Sequence, residues 1–341
     1  MKVCVFSRNL IYALGGAELS LREEIKNNFG MHELLLFYLK QNRYKRLEID
    51  YSFACDHERY VLPSKFIFSK FAYYEYVANI PVIQRAISSC EFDMLVAQNR
   101  WAPAALIVAS KKGCETVYYL RDETSVGIIG NYHRGINRAA KMAYQAMEFP
   151  GIRKWLIDNQ RAIQRCDRII ANSNFMAEVA LERYGVHCEV VLPHIDIAQL
   201  RKSYRKFCSH IRTVSSKKRV VMMGETLLKG IETFKKLAAM NLDKVFVSYG
   251  ASVVQETLKD GIIFMPWSSN NAEPYVGADL VLTPSVCNEA FGRVPIEAQA
   301  LGIPVIVSNR GGLPEAVNYD KRFIANSLED FDSKIKDILG G

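Results

Sequence analysis

The chain has 341 residues, 49% of them hydrophobic and 23% charged, with a net charge of +8. That length suits about two domains of ~100 to 200 residues, and the composition is that of a folded globular chain, which excludes a disordered or fibrous protein. The longest uncharged apolar run, APAALIVAS, is about half of the ~20 residues a membrane-spanning helix needs, so a cytoplasmic protein is expected, soluble or peripherally attached to a membrane.

Short β-rich runs alternate with amphipathic helical stretches almost from end to end. KVCVFSR (2–8), HELLLFYL (32–39), DMLVAQN (93–99), ETVYYLRD (115–122), RIIANS (168–173) and CEVVLP (188–193) read as buried strands. Helices are expected over 17–29, 102–112 and 174–185, the last stopped by Gly185 as a C-cap. A polar, basic stretch follows at about 194–218, and the alternation then restarts. RVVMMG (219–224), KVFVSYG (244–250), IIFMP (262–266), DLVLTPS (279–285) and PVIVSN (304–309) read as strands, with helices near 230–240, 252–259, 293–301 and 327–338. Continuous apolar strands with helical crossovers imply α/β architecture with doubly wound parallel sheets. Two such units are expected, 1–195 and 196–341, with the boundary within about 195–218.

The eight cysteines form no C-x-x-C pair and do not cluster with histidine, which argues against a zinc or redox site. The positive charge is uneven: residues 131–219 carry 17 Lys/Arg against seven Asp/Glu. Either an acidic partner, such as an anionic lipid surface, or ordinary solvated helix faces would account for it. Residues 63–76 interleave Lys65 and Lys70 with aromatic residues, and Arg134, Arg138, Lys141, Arg153, Lys154 and Trp155 extend the pattern. Basic heads beside aromatic bodies suit docking on an anionic membrane; core packing is the competing account of the aromatics.

Open parallel sheets bind ligands at the carboxyl ends of their strands. DLVLTPS runs into the loop VCNEAFG, and a helix is expected to begin near Arg293 with Pro295 in its first turn. Glu289 therefore lies in the loop and Glu297 about one turn inside the helix. The backbone N–H groups around Ala290, Phe291 and Gly292 open that helix, where unpaired donors and the helix dipole attract anions, and Gly292 permits close approach. Carboxylates beside such donors can accept hydrogen bonds from sugar hydroxyls, at about 1.5–3 kcal/mol each. For two isolated glutamates, capping and solvation would be the simpler account.

The pair is not isolated. E-A-F-G-x-x-x-x-E-A, followed by A-x-G-x-P-V and G-G-x-x-E, resembles the donor site of the retaining nucleotide-sugar glycosyltransferases of family 4. The resemblance implies the GT-B fold, two Rossmann-like domains facing a cleft, with the first on the acceptor side and the second binding the donor. It gives Glu289 the transferred sugar and Glu297 the ribose hydroxyls. GETLLKGIETF (224–234) resembles the element whose lysine grips the diphosphate, implicating Lys229 and Gly230. SYGAS and FMPW place Gly250 and Pro266 near the base, and LGGAELSL resembles a loop that closes over the phosphates with Gly15 and Gly16. Where relatives carry an arginine before the lysine this chain has Glu225, and Arg293 is one candidate to compensate. YYLRDE places Asp122 at a strand end of the first domain, where it could orient or activate the acceptor or merely cap a turn.

The implied reaction is transfer, with retention, from a nucleotide-diphosphate sugar to a hydroxyl of a glycan or lipid-linked acceptor, in cell-surface polysaccharide, lipopolysaccharide or glycolipid assembly. No cofactor and no metal are expected, since lysine and backbone donors meet the phosphate charge; the only D-x-D, Asp330 and Asp332, reads as a solvated helix face. The alternatives are a GT-B sugar-nucleotide epimerase or phosphorylase and, in a different class, a basic nucleic-acid-binding protein. No specific nucleic-acid motif is present, and G-x-G-x-x-G is absent after the first strand. The sugar, base and oligomeric state are left open by the sequence.

Overall fold

The structure is a computed structural model that describes residues 1–10, 15–39, 57–63, 72–127, 138–209, 217–268 and 270–340. It divides into two compact units, Met1–His194 and Ile195–Gly341.

The first unit is a seven-stranded, wholly parallel sheet. Its strands are β1 (Lys2–Phe6), β2 (Glu33–Leu39), β3 (Glu58–Leu62), β4 (Met94–Gln98), β5 (Glu115–Leu120), β6 (Arg168–Ala171) and β7 (Glu189–Val190), in the order β3-β2-β1-β4-β5-β6-β7. Its helices are α1 (Gly16–Glu24), α2 (Ala72–Ser88), α3 (Ala102–Lys112), α4 (Arg138–Arg165) and α5 (Asn174–Tyr184). Strands buried on both faces need covers on both, and alternate residues supply them. Val3, Val5, Leu34, Leu36 and Val96 pack with Leu21 and Ile25 on one face. Cys4, Phe6, Leu35, Phe37, Leu95 and Tyr118 are equally buried, and the Tyr118 hydroxyl donates to Asn159 Oδ1 of α4 at 2.9 Å.

The second unit contains β8 (Arg219–Met223), β9 (Val245–Gly250), β10 (Thr257–Lys259), β11 (Ile262–Pro266), β12 (Leu280–Thr283), β13 (Val305–Ser308) and β14 (Ile324–Ala325). Their order is β10-β11-β9-β8-β12-β13-β14, with only the β10–β11 pair antiparallel. The helices are α6 (Ile197–Cys208), α7 (Ile231–Met240), α8 (Arg293–Ala300), α9 (Leu313–Ala316) and α10 (Leu328–Leu339). Leu280 and Leu282 face α7 and α10 with Phe234, Phe246 and Phe331, while Val281 faces Ala298 and Leu313 on the other side.

Three expectations need correction. The helix near 252–259 is instead an edge hairpin, turned by Asp260 and Gly261 at φ +54° and +74°, the two positive angles of a tight Asp-Gly hairpin. The basic stretch at 194–218 contains α6, capped by Asp196, whose carboxylate accepts from the Gln199 N–H at 2.8 Å. Asp332 is 7% exposed rather than solvated and is held by Lys336 at 2.6 Å and Asn241 at 2.7 Å.

Candidate active site

In each sheet the connections reverse direction between two neighbouring strands, β1 and β4 in the first unit and β8 and β12 in the second. A crevice forms at the carboxyl ends of such a pair. In the second unit the loop after β8 carries Lys229 and the loop after β12 carries Glu289. Their backbones meet where no side chain fits. A Cβ on Gly230, whose φ is +86°, would lie 1.8 Å from the Pro284 carbonyl oxygen, and one on Gly311, at φ +59°, 2.3 Å from the Glu289 carbonyl oxygen. The next residue, Gly312, donates its N–H to that same Glu289 oxygen at 2.8 Å. The two glycines of G-G-x-x-E therefore clamp the loop that presents Glu289.

The Lys229 ammonium reaches both Glu289 oxygens, Oε1 at 2.6 Å and Oε2 at 2.8 Å. Ser285 Oγ also donates to Oε1, at 2.6 Å. The lysine side chain is 46% exposed and the glutamate 17%. Burial pushes the Lys229 pKa down, but the adjoining carboxylate outweighs it and holds the group above its ordinary value. Burial pushes Glu289 up, and Lys229 and Ser285 together leave it below the usual carboxylate value. Both groups are charged across the neutral range, so a polyanion would find a cation and a sugar would find a carboxylate.

Glu297 lies in the first turns of α8 and is 6% exposed. Its Oε2 accepts from the Tyr275 hydroxyl at 2.7 Å and its Oε1 from Arg293 Nε at 3.3 Å. Burial and the glutamate charge push the Tyr275 phenol well above its ordinary pKa, so it stays a donor. Arg293, a candidate phosphate ligand by sequence, is thus engaged along its own helix. Phe291 is 3% exposed, its ring packed into the second unit. Gly292 precedes α8 with φ +116°.

Gly250 ends β9 beside Pro266, the last residue of β11. The close neighbour that Gly250 accommodates is Glu225: a Cβ there would lie 2.0 Å from its Oε2. Glu225 Oε1 accepts from the Ser252 N–H at 2.7 Å. The Glu225 carboxylate is thereby turned onto the end of β9.

In the first unit, Gly15 caps α1 in extended backbone and Gly16 is its exposed first residue. Asp122 follows β5, and its Oδ1 accepts from Thr124 Oγ1 and from the Ser125 N–H at 2.7 Å. That is turn capping, one of the two roles open to it from sequence. Trp155 is fully buried, its Nε1 donating to the Arg100 carbonyl at 2.7 Å, so it is a core residue and not an interfacial one. The segment 64–71, with Lys65 and Lys70, and Arg134 lie outside the described residues, as do the side chains of Arg138 and Lys141. Ser285, Ser308 and Tyr275 do not stand out in the sequence; the only signal is a hydroxyl at each of two strand ends, TPS and VSN. Among the described residues no group of three or more His, Cys, Asp or Glu could hold a metal ion, and no helix is long and apolar enough to cross a membrane.

Comparison with known proteins identifies the family and the fold. Residues 14–199 match the model of Glycosyltransferase Family 4, and residues 215–340 that of Glycosyl transferases group 1. The D-inositol 3-phosphate glycosyltransferase of Mycobacterium tuberculosis is 29% identical over a match of 182 residues that covers 47% of this chain and 38% of that protein's length. HepE of Anabaena, solved in complex with UDP-glucose, superposes with a TM-score of 0.69 at 17% identity, covering 99% of this chain and 90% of its own. Sucrose-phosphate synthase of Thermosynechococcus elongatus does so with a TM-score of 0.72 at 16% identity, covering 99% and 89%. At such identities the structural likeness is one of fold. The family model spans more than half of the sequence, and the chain belongs to glycosyltransferase family 4.

Proposed function

We propose that the chain is a retaining glycosyltransferase, moving a sugar from a nucleotide-diphosphate sugar to an acceptor hydroxyl without a divalent metal. The observation that carries this is the meeting of Lys229 and Glu289, delivered by two separate loops to the switch point of the second sheet. Lys229 and the backbone donors opening α7 and α8 meet the diphosphate, Glu289 binds the sugar, and Glu297 binds the ribose. The bond from the anomeric carbon to the phosphate oxygen breaks while the acceptor oxygen bonds to the same face of that carbon. The acceptor proton passes to the departing phosphate. Two carboxylates here are binding groups and not a glycosidase pair.

The acceptor is read as a glycan or lipid-linked molecule of cell-surface assembly, met by the first unit at an anionic membrane. The support is one face of α4. Phe149, Leu156 and Ile157 are exposed there beside the exposed Arg153, Arg161 and Arg165, while the carboxylates of this stretch, Glu148 and Asp158, are buried. Apolar bodies with unopposed cations suit an anionic interface, at about 1 kcal/mol per basic residue near the surface. Sedimentation with vesicles tests it: binding should rise with anionic lipid and fall with salt, and indifference to lipid charge at low salt would refute it.

A thermal-shift panel of UDP, GDP, ADP and their glucose conjugates tests the donor reading. A ligand at about 100 times its dissociation constant adds about 2.7 kcal/mol of apparent stability. Turnover of the donor that binds should persist in excess chelator; complete loss, restored by magnesium, would contradict metal-independent transfer.

A further inference from the structure

We infer that Ser285 is the positioning residue for Glu289, holding its carboxylate in place once the diphosphate of a donor draws Lys229 away. The inference rests on reading Glu289 as the sugar-binding group. Lys229 and Glu289 pair with each other at 2.6 Å, so a diphosphate would compete with the carboxylate for the ammonium. The two ties on Glu289 differ in kind. Lys229 comes from another loop on a flexible stem that is 46% exposed. Ser285 directly precedes the Glu289 loop, is 3% exposed, and donates to Oε1 at 2.6 Å.

Ser285 is in turn anchored by the neighbouring strand: Ser308, the last residue of β13, donates its hydroxyl to the Ser285 carbonyl at 2.6 Å and lies 3.1 Å from the Thr283 carbonyl. The Ser308 hydroxyl thus anchors the Ser285 backbone to the sheet, and the Ser285 hydroxyl holds the carboxylate. When Lys229 leaves, Oε2 loses its partner and becomes free to accept from a sugar hydroxyl, while Oε1 remains fixed. Without Ser285, burial would be unopposed at that moment and would favour the protonated, freely rotating carboxyl.

The test is a double-mutant cycle of Ser285→Ala and Glu289→Ala. UDP, GDP and ADP binding is followed by calorimetry, and nucleotide release from the glucose conjugate of whichever binds is followed as turnover. Loss of one charge-assisted hydrogen bond predicts that Ser285→Ala lowers kcat about tenfold or more, with the nucleoside-diphosphate affinity within about twofold of the parent. The acid limb of its pH profile should move to higher pH. Added to Glu289→Ala, it should change nothing further, since it acts through that carboxylate. Unchanged turnover, or effects that multiply in the double variant, would overturn the inference. If Ser285→Ala does not fold, Ser285→Cys keeps the volume with a weaker donor and should show the same loss in kcat. If no nucleotide binds the parent protein, the donor-site reading itself fails and this inference with it; nucleotide binding with a silent Ser285→Ala overturns the inference alone.

Discussion

The two sheets share one plan, with strands reversing about β1 and β4 in one and β8 and β12 in the other, yet their strand ends are put to different uses. In the first unit the polar groups at those ends tie to each other. Gln98 and Asn99 donate to Ser7 Oγ at 3.3 and 3.1 Å, and Arg8 pairs with Glu75 at 2.7 Å while lying over the Trp101 ring. In the second unit the backbone does much of the tying, through glycines that admit no side chain, and the charged pair Lys229 and Glu289, joined to each other at 2.6 Å, keeps the lysine 46% exposed. Topology places a crevice; whether charged side chains are available in it depends on what else holds the loops.

The contrast breaks most readily at the glycines. Gly230→Ala combines a positive φ with a clash against the backbone of Pro284, so a loss of about 3 kcal/mol or more of unfolding free energy is expected in the second unit. Gly113 in the first unit has φ +75°, but a methyl group there would have nothing within 4 Å, so Gly113→Ala should cost only about 1 kcal/mol. Calorimetric melting of both variants checks this; equal shifts would refute the contact of Gly230 with the Pro284 backbone as the source of the difference.

Next in size are the site variants. Glu289→Ala should lower turnover by about tenfold or more while nucleoside-diphosphate binding survives, whereas Lys229→Ala should weaken both. Steady-state kinetics set beside calorimetric binding separates them, and full transfer by either variant would contradict the assigned roles.

A pH-dependent effect is expected in the first unit. Burial raises the Glu18 carboxyl from 4.5 to about 6, with the Asp122 charge adding to the rise against hydrogen bonds from its own amide and from Asn9. The folded state favours the protonated form, so the contribution is present in full below about pH 4.5. It is lost as pH rises through about 6, a change of about 2 kcal/mol. Denaturant melts at pH 4 and pH 7 should show Glu18→Gln gaining about that much stability relative to the parent chain between the two pH values; the same pH dependence in both would dismiss Glu18 as its source.

Much of the second unit is legible in the sequence because its motif is dense. E-A-F-G-x-x-x-x-E-A and G-G-x-x-E fix neighbouring loops, and the structure supplies the reason for the glycine pair in the contact with Glu289. Apolar runs such as KVCVF and RVVMM announce themselves as buried strands. What stays hidden has no periodic signal. α2 and α4 contain Pro81 and Pro150, which read as helix breakers. β3, with an exposed, charged Glu-Arg start, does not resemble a buried strand. The charge of α6 hides its helical pattern, and the Asp-Gly turn after β10 follows a stretch that reads as a helix. Tyr275 matters through Glu297, 22 residues on, and Ser285 through a loop whose turn brings Glu289, four residues on, back to its hydroxyl; such pairings are visible only in three dimensions.

The central claim is that the strand-end loops of the second unit bind the diphosphate of a nucleotide sugar through Lys229. Isothermal titration of UDP, GDP and ADP into the parent chain and into Lys229→Ala addresses it most directly. At least one of the three should bind the parent, and its dissociation constant should rise about tenfold or more in the variant, as expected for one lost charge-assisted bond. Binding of none of them, or equal affinity in the two proteins, would contradict the account.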